Sequence, residues 1–147
     1  MKEIAGKLIE TVNNTALVLK SMTEDEWAKS SGPGKWSKKE ILGHLVDSAF
    51  NNHRRFVEGQ IRTCPNIFYD QEAWVLVQNY RVIPGPILAQ FWWMMNIHIA
   101  HILEMMPTSG EARLVNTGHD KEELHTLRWL AEDYLRHLNH HLRQIIS

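Results

Sequence analysis

His137 and His141 stand four residues apart in the stretch Asp133-Tyr-Leu-Arg-His-Leu-Asn-His-His-Leu-Arg-Gln-Ile145. On a helix, that spacing puts two side chains on one face, about 6 Å apart along the axis, so two imidazoles there can converge on one cation. The competing reading is an inward His141 hydrogen-bonded to a neighbouring helix beside a half-exposed His137. Either way a buried imidazole needs a partner, because leaving it unsatisfied costs about 1–3 kcal/mol. The intervening residues are Leu138, Asn139 and His140, with no glutamate, so the pattern is not that of the zincins. A two-histidine pair needs a third ligand from elsewhere in the chain.

Helical-wheel arithmetic sorts the nine histidines. His141 falls inside the apolar stripe of its helix beside Tyr134 and Leu138. His137 lies about 80° from the stripe centre, and His140 points away. His44 lies roughly 140° from the stripe of an earlier helix, next to Ser48, Asn51 and Arg55. That position is either a solvent face or the wall of a polar cavity, and periodicity does not choose between them. His53, on the apolar side of the same helix, reads as a satisfied core histidine. His98, His101, His119 and His125 carry no ligand pattern.

Four long helical patterns must position these groups, and no strand alternation of any length is visible. The first runs from about Lys2 to Met22, with Ile4, Leu8, Val12, Leu17 and Leu19 as its apolar contributors. Thr23 to Trp27 reads as a capped single turn, and Ser30 to Gly34 as a loop. Ser37 and Glu40 form a capping box that opens the second helix, whose apolar positions are Ile41, Leu42, Leu45, Val46, Ala49, Phe50 and Phe56. Gly59 is its expected terminator. Within the long connection from Gln60 to Gly85, Asp70 can cap a short crossover helix over Gln71 to Tyr80. Pro86 suits the first position of the third helix, with the stripe Leu88, Phe91, Trp92, Met95, Ile99, Ile102, Leu103 and Met106, and Pro107 closes it. Thr108 to His125 is polar and reads as a structureless loop. Thr126 caps the fourth helix, which buries Leu127, Leu130, Tyr134, Leu138, Leu142 and Ile145. The expected architecture is an all-α, four-helix bundle in a single domain over residues 1–147.

Bulk composition narrows the partners. The chain has 147 residues, 44% hydrophobic and 22% charged, which is globular. Sixteen basic and 17 acidic residues leave a formal charge of −1, so neither nucleic acid nor an anionic membrane is expected as a partner. The one cysteine, Cys64, rules out an intrachain disulfide and any multi-thiolate zinc site. The N-terminus shows no signal-peptide pattern, and the apolar stretch Ile83 to Met106 is too polar to span a bilayer, so a cytoplasmic location is expected.

Two segments resemble a known family. Lys35-Trp-Ser-Lys-Lys-Glu-Ile-Leu-Gly-His-Leu-Val-Asp-Ser-Ala-Phe-Asn-Asn-His-Arg-Arg-Phe56 is similar to the second-helix signature of the DinB/YfiT-like superfamily: a Trp-Ser entry, then a His-Leu-hydrophobic-Asp element. Asp133 to Ile145 resembles that family's closing helix, with a histidine followed by a His-His pair. The resemblance implies an up-down-down-up bundle with a three-histidine metal site in a cleft. Carried over residue by residue, the ligands are His44, His137 and His141, and His140 is the non-ligand. Three neutral imidazoles leave a divalent ion with open positions, as in catalytic sites, and nitrogen ligands suit zinc or nickel. Such an ion acidifies a bound water or thiol. Family members include metal-dependent hydrolases and transferases or isomerases that use low-molecular-weight thiols, so a small-molecule substrate is implied. A DinB-like metal-binding protein without turnover, or a structural helical dimer module, is the alternative.

Asp47 and Asp133 are candidates to orient the ligand rings, Tyr134 could reach the site, and Trp74 and Tyr80 could wall the cleft. No glutamate is placed as a general base, so no catalytic residue is assigned. Many relatives pair, and Trp93 and Met94 lie off the third helix's stripe, so a homodimer is expected.

Overall fold

Four long helices supply the frame, and in each the side chains at helical spacing face a common interior. The computed structural model describes every residue from Met1 to Ser147. In chain order the helices are α1 (Lys2–Ser21), α2 (Glu24–Ala28), α3 (Lys38–Ile61), α4 (Gln71–Gln78), α5 (Gly85–Met105), α6 (Thr108–Glu111) and α7 (Leu127–Ile146). A single 3-10 turn, Tyr80–Val82, follows α4, and two short strands, β1 (Leu114–Asn116) and β2 (Leu124–Thr126), precede α7. No helix is long and apolar enough to cross a membrane.

Contacts at the helix ends fix the direction of the bundle. The Met1 ammonium meets Glu111, just beyond α5, so α1 starts where α5 finishes. Glu111 also meets Arg128 at the start of α7. At the opposite end, Lys38 opening α3 donates to the carbonyl of Ser147. Glu24 of α2 accepts from the Gly85 amide that opens α5. Helices α1 and α7 therefore run one way and α3 and α5 the other, which is the up-down-down-up order. Both α1 and α3 pack against α5 and α7.

The capping signals act as their residue types predict. Thr23 with Glu26, and Ser37 with Glu40, each form a reciprocal capping box. Asp70 accepts from the Glu72 and Ala73 amides, and Thr126 from the Trp129 amide. Trp36 and Ile41 occupy the flanking positions of a hydrophobic staple around the Ser37 box, and both pack against the core.

Several expectations need correcting. Gly59 does not end α3, which continues to Ile61. It is buried instead because a Cβ there would come within 2.9 Å of both Leu127 and Val115. The residues 108–125 are not structureless: they hold α6 and a β1–β2 antiparallel hairpin whose Val115 is buried against α3. Three-residue strands are too short to show a period of two in sequence. Leu17 is 71% exposed, since α1 buries the face of Ile4, Leu8, Val12 and Leu19. Phe50 and Phe91 are also exposed, where they meet each other with ring centroids 5.7 Å apart. Helix α4 stops at Gln78 because Asn79 takes a left-handed conformation with φ 46°, which turns Tyr80 into the core.

Candidate metal centre

His44 lies two turns into α3, and His137 and His141 lie one turn apart near the end of α7, so antiparallel packing of those helices brings the three rings together. Their ligand atoms all lie within 4.8 Å of one another. The rings sit edge-to-face, with centroids 4.6–4.9 Å apart. The Nε2 atoms of His44 and His137 face each other at 3.0 Å. Two nitrogens bound to one tetrahedral zinc are separated by roughly 3.3 Å, given Zn–N bonds of about 2.0–2.1 Å. The donor set therefore fits a divalent ion.

His44 is the residue that periodicity left open, and the fold explains why. The polar face of α3 is buried along its length: His44, Asp47, Ser48 and Asn51 are each no more than 2% exposed. The face is covered by α7 and by the crossover that includes α4, not by solvent. Asn51 donates to the Asp47 carbonyl and Asn52 to the Ser48 carbonyl, which satisfies part of the face within the helix. Trp36 leans on the His44 ring at a centroid distance of 5.1 Å.

Electrostatics keep the rings neutral, the form in which imidazole binds metal. Burial, followed by repulsion from His137 and His141, pushes His44 down to about 3. Burial and His141 push His137 down to about 4, against the pull of Asp133. Burial also lowers His141, partly offset by its bond to Gln144.

Gln144 is the orienting residue that sequence reasoning missed. Its Oε1 accepts from His141 Nδ1 at 2.9 Å, leaving Nε2 of that ring for the cluster. Its amide nitrogen reaches the exposed His140 at 3.2 Å. The signal was available, since Gln144 lies three residues beyond His141 on the same helix.

The suggested orienting carboxylates do other work. Asp47 accepts from Tyr80 Oη and Gln78 Nε2, and its second oxygen is buried without a partner. Asp133 binds Arg136 at 2.9 Å. Neither carboxylate bonds a ligand ring. Tyr134 donates to Asn96 in the core and does not reach the site. Tyr80 is turned onto Asp47, and Trp74 packs edge-on to Tyr69, so neither walls the cleft. His53 is not a satisfied core histidine: it is half-buried and stacks on His98 at 5.3 Å.

Of the three rings, His141 faces a cleft of about 960 Å³, whose lining also includes Gln144 of α7, Trp36, and Gln71 and Glu72 of α4. That volume is in the range of small-molecule sites, roughly 300–1,000 Å³.

Comparison with known proteins agrees with this architecture. YfiT from Bacillus subtilis, described as a probable metal-dependent hydrolase with an unusual four-helix bundle topology, superposes with a TM-score of 0.88. The match covers 97% of this chain and 82% of that one, at 21% sequence identity, and shows that the two share a fold. No curated protein matches the chain. The DinB superfamily model matches residues 7–145, from the first turns of α1 to the last turn of α7. By that match the chain belongs to the DinB superfamily.

Proposed function

We propose that this protein is a metal-dependent enzyme whose divalent ion, zinc or nickel, is held by His44, His137 and His141 and acts on a small molecule. The observation that carries the reading is the convergence of three neutral imidazoles from two helices, one of which, His141, lines an open cleft. A site meant only to brace the bundle would be closed by a fourth protein ligand. A divalent ion in this cage supplies Lewis acidity to a water or thiol. His44, buried and braced by Trp36, contributes the rigid side of the cage. His141, oriented by Gln144, contributes the side next to the cleft. The reaction is hydrolysis or transfer to a low-molecular-weight thiol. YfiT's description as a probable metal-dependent hydrolase supports the first.

Elemental analysis of the untagged protein tests the ligand set. About one zinc or nickel per chain is expected in the wild type, falling to a small fraction in His44→Ala, His137→Ala and His141→Ala. Equal metal content in wild type and all three variants would overturn the assignment. Ester and amide substrates, set against a thiol with an electrophile, then separate hydrolase from transferase; turnover of neither leaves a metal-binding protein.

The expected homodimer is proposed through the outer face of α5. Ile87, Phe91 and Met94 are exposed there, with Phe50 of α3 beside Phe91. Trp93 is less available, since its indole donates to Asn13 of α1. Light scattering at micromolar concentration should give twice the 17.2 kDa chain mass; a monomer mass ends this part of the reading.

A further inference from the structure

The loop between α2 and α3 lines the same cleft as His141, and that loop is chemically one-sided. Lys29 and Lys35 project from it, and only two of the fourteen lining residues are hydrophobic. The loop is closed on itself: Ser30 pairs with Ser37, the Lys38 amide bonds the Lys29 carbonyl at 2.8 Å, and the Lys35 amide bonds the Gly32 carbonyl. It is also fixed to the metal cage, because Trp36, next to Lys35 in the chain, leans on His44. Lys7 and Lys39 are paired to Glu3 and Glu24, but Lys29 and Lys35 have no carboxylate within ion-pair distance. Lys38, also in the lining, is engaged by the Ser147 carbonyl. Of the two glutamates in the lining, Glu26 is committed to the Thr23 amide and hydroxyl. Glu72 stands at the start of α4 with no side-chain partner.

We infer that the substrate is a small anion, and that Lys29 and Lys35 bind its carboxylate or phosphate while its reacting group lies at the three histidines. The inference deepens the proposed metal-dependent activity and rests on it for the position of the reacting group. Two ammonium groups without a direct ion-pair partner on a braced loop, Lys29 sharing only the longer-range field of Glu26, favour an anionic group by Coulomb attraction and charge-assisted hydrogen bonds. Glu72 repels the anion and biases it toward the lysine side. The sparse apolar lining gives a neutral, greasy substrate little surface to bury.

Amide NMR spectra of the full chain, metal-free and zinc-loaded, test this with succinate, ethyl phosphate and the uncharged 1,4-butanediol as probes. At fixed ionic strength, succinate or ethyl phosphate should shift the amides of residues 29–32 and 34–36, and butanediol should not. In the double variant Lys29→Gln/Lys35→Gln, anion affinity should fall about tenfold or more, with zinc content unchanged. Both side chains are exposed, so the fold should tolerate the exchange. The inference is overturned if neither anion shifts the loop, if butanediol does so equally, or if the variant binds as the wild type does. The two readings fail separately. A chain that binds zinc but neither anion loses only the anion site. A chain that binds an anion at this loop but no zinc keeps the anion site and loses the metal reading.

Discussion

Gln144 spans His140 and His141, and its acceptor oxygen is the only protein group bonded to the second nitrogen of a proposed ligand. Removing it frees the His141 ring to rotate and to take either tautomer. Gln144→Leu should therefore weaken zinc binding about 10- to 100-fold, as loss of an orienting partner commonly does. Competition with a chromogenic chelator would measure it, and an unchanged affinity would show that packing alone holds the ring. At this scale legibility was uneven. His137 and His141 could be read from helical spacing because both lie on one short arc of one amphipathic helix. His44 could not, because its neighbours Asp47, Ser48 and Asn51 are polar whether such a face meets water or a covered cavity. What covers it is the crossover and α7, which sit far away in sequence. Only the resemblance to a known family pointed to that residue.

Helix α3 meets the crossover most closely at Gly43. Tyr80 lies flat over Gly43, where an added Cβ would stand 2.1 Å from the ring, and its hydroxyl donates to the buried Asp47. Replacing a helical glycine by alanine ordinarily gains about 1 kcal/mol of helix propensity. At Gly43 the overlap must instead displace Tyr80, and overpacking of this kind costs about 1–3 kcal/mol before any loss at Asp47. Gly6, in α1, has nothing within 4 Å of its absent Cβ. Urea unfolding should show Gly43→Ala destabilised and Gly6→Ala stabilised by about 0.5–1 kcal/mol. A stabilised Gly43→Ala would mean that Tyr80 moves aside freely. The start of α3 was legible in Ser37 and Glu40 because a capping box is a local device. Its end was not, since Gly59 serves packing against Val115 and Leu127, residues more than fifty positions away. The β1–β2 hairpin escaped for a related reason: Val115 alone is buried, too little to make a pattern.

For the whole molecule, the four long helices were readable because each carries its own apolar stripe, whereas their up-down-down-up order came from the family resemblance. The cost of gathering three imidazoles between α3 and α7 was not readable, since it arises only when the bundle closes. It should appear as acid sensitivity of the metal-free protein. His44 and His137 are held at about 3 and about 4 in the fold, against 6.5 ordinarily. Between those values the unfolded chain binds more protons than the native one, so stability rises with pH across the window. It is fully present above about 6.5 and is lost as pH falls toward the folded values. Asp47 acts with the opposite sign, because burial holds its carboxyl above the ordinary 3.8, but it does so in wild type and His44→Ala alike. The slope is best read above about pH 5, where ordinary carboxylates have finished titrating. There, urea unfolding of the chelator-treated protein should lose up to about 1.4 kcal/mol per pH unit for each such histidine. His44→Ala should flatten the slope by one such contribution, whatever its effect on absolute stability. An unchanged slope would mean that His44 carries a proton in the native state, and a ring in that form could not serve as a metal ligand.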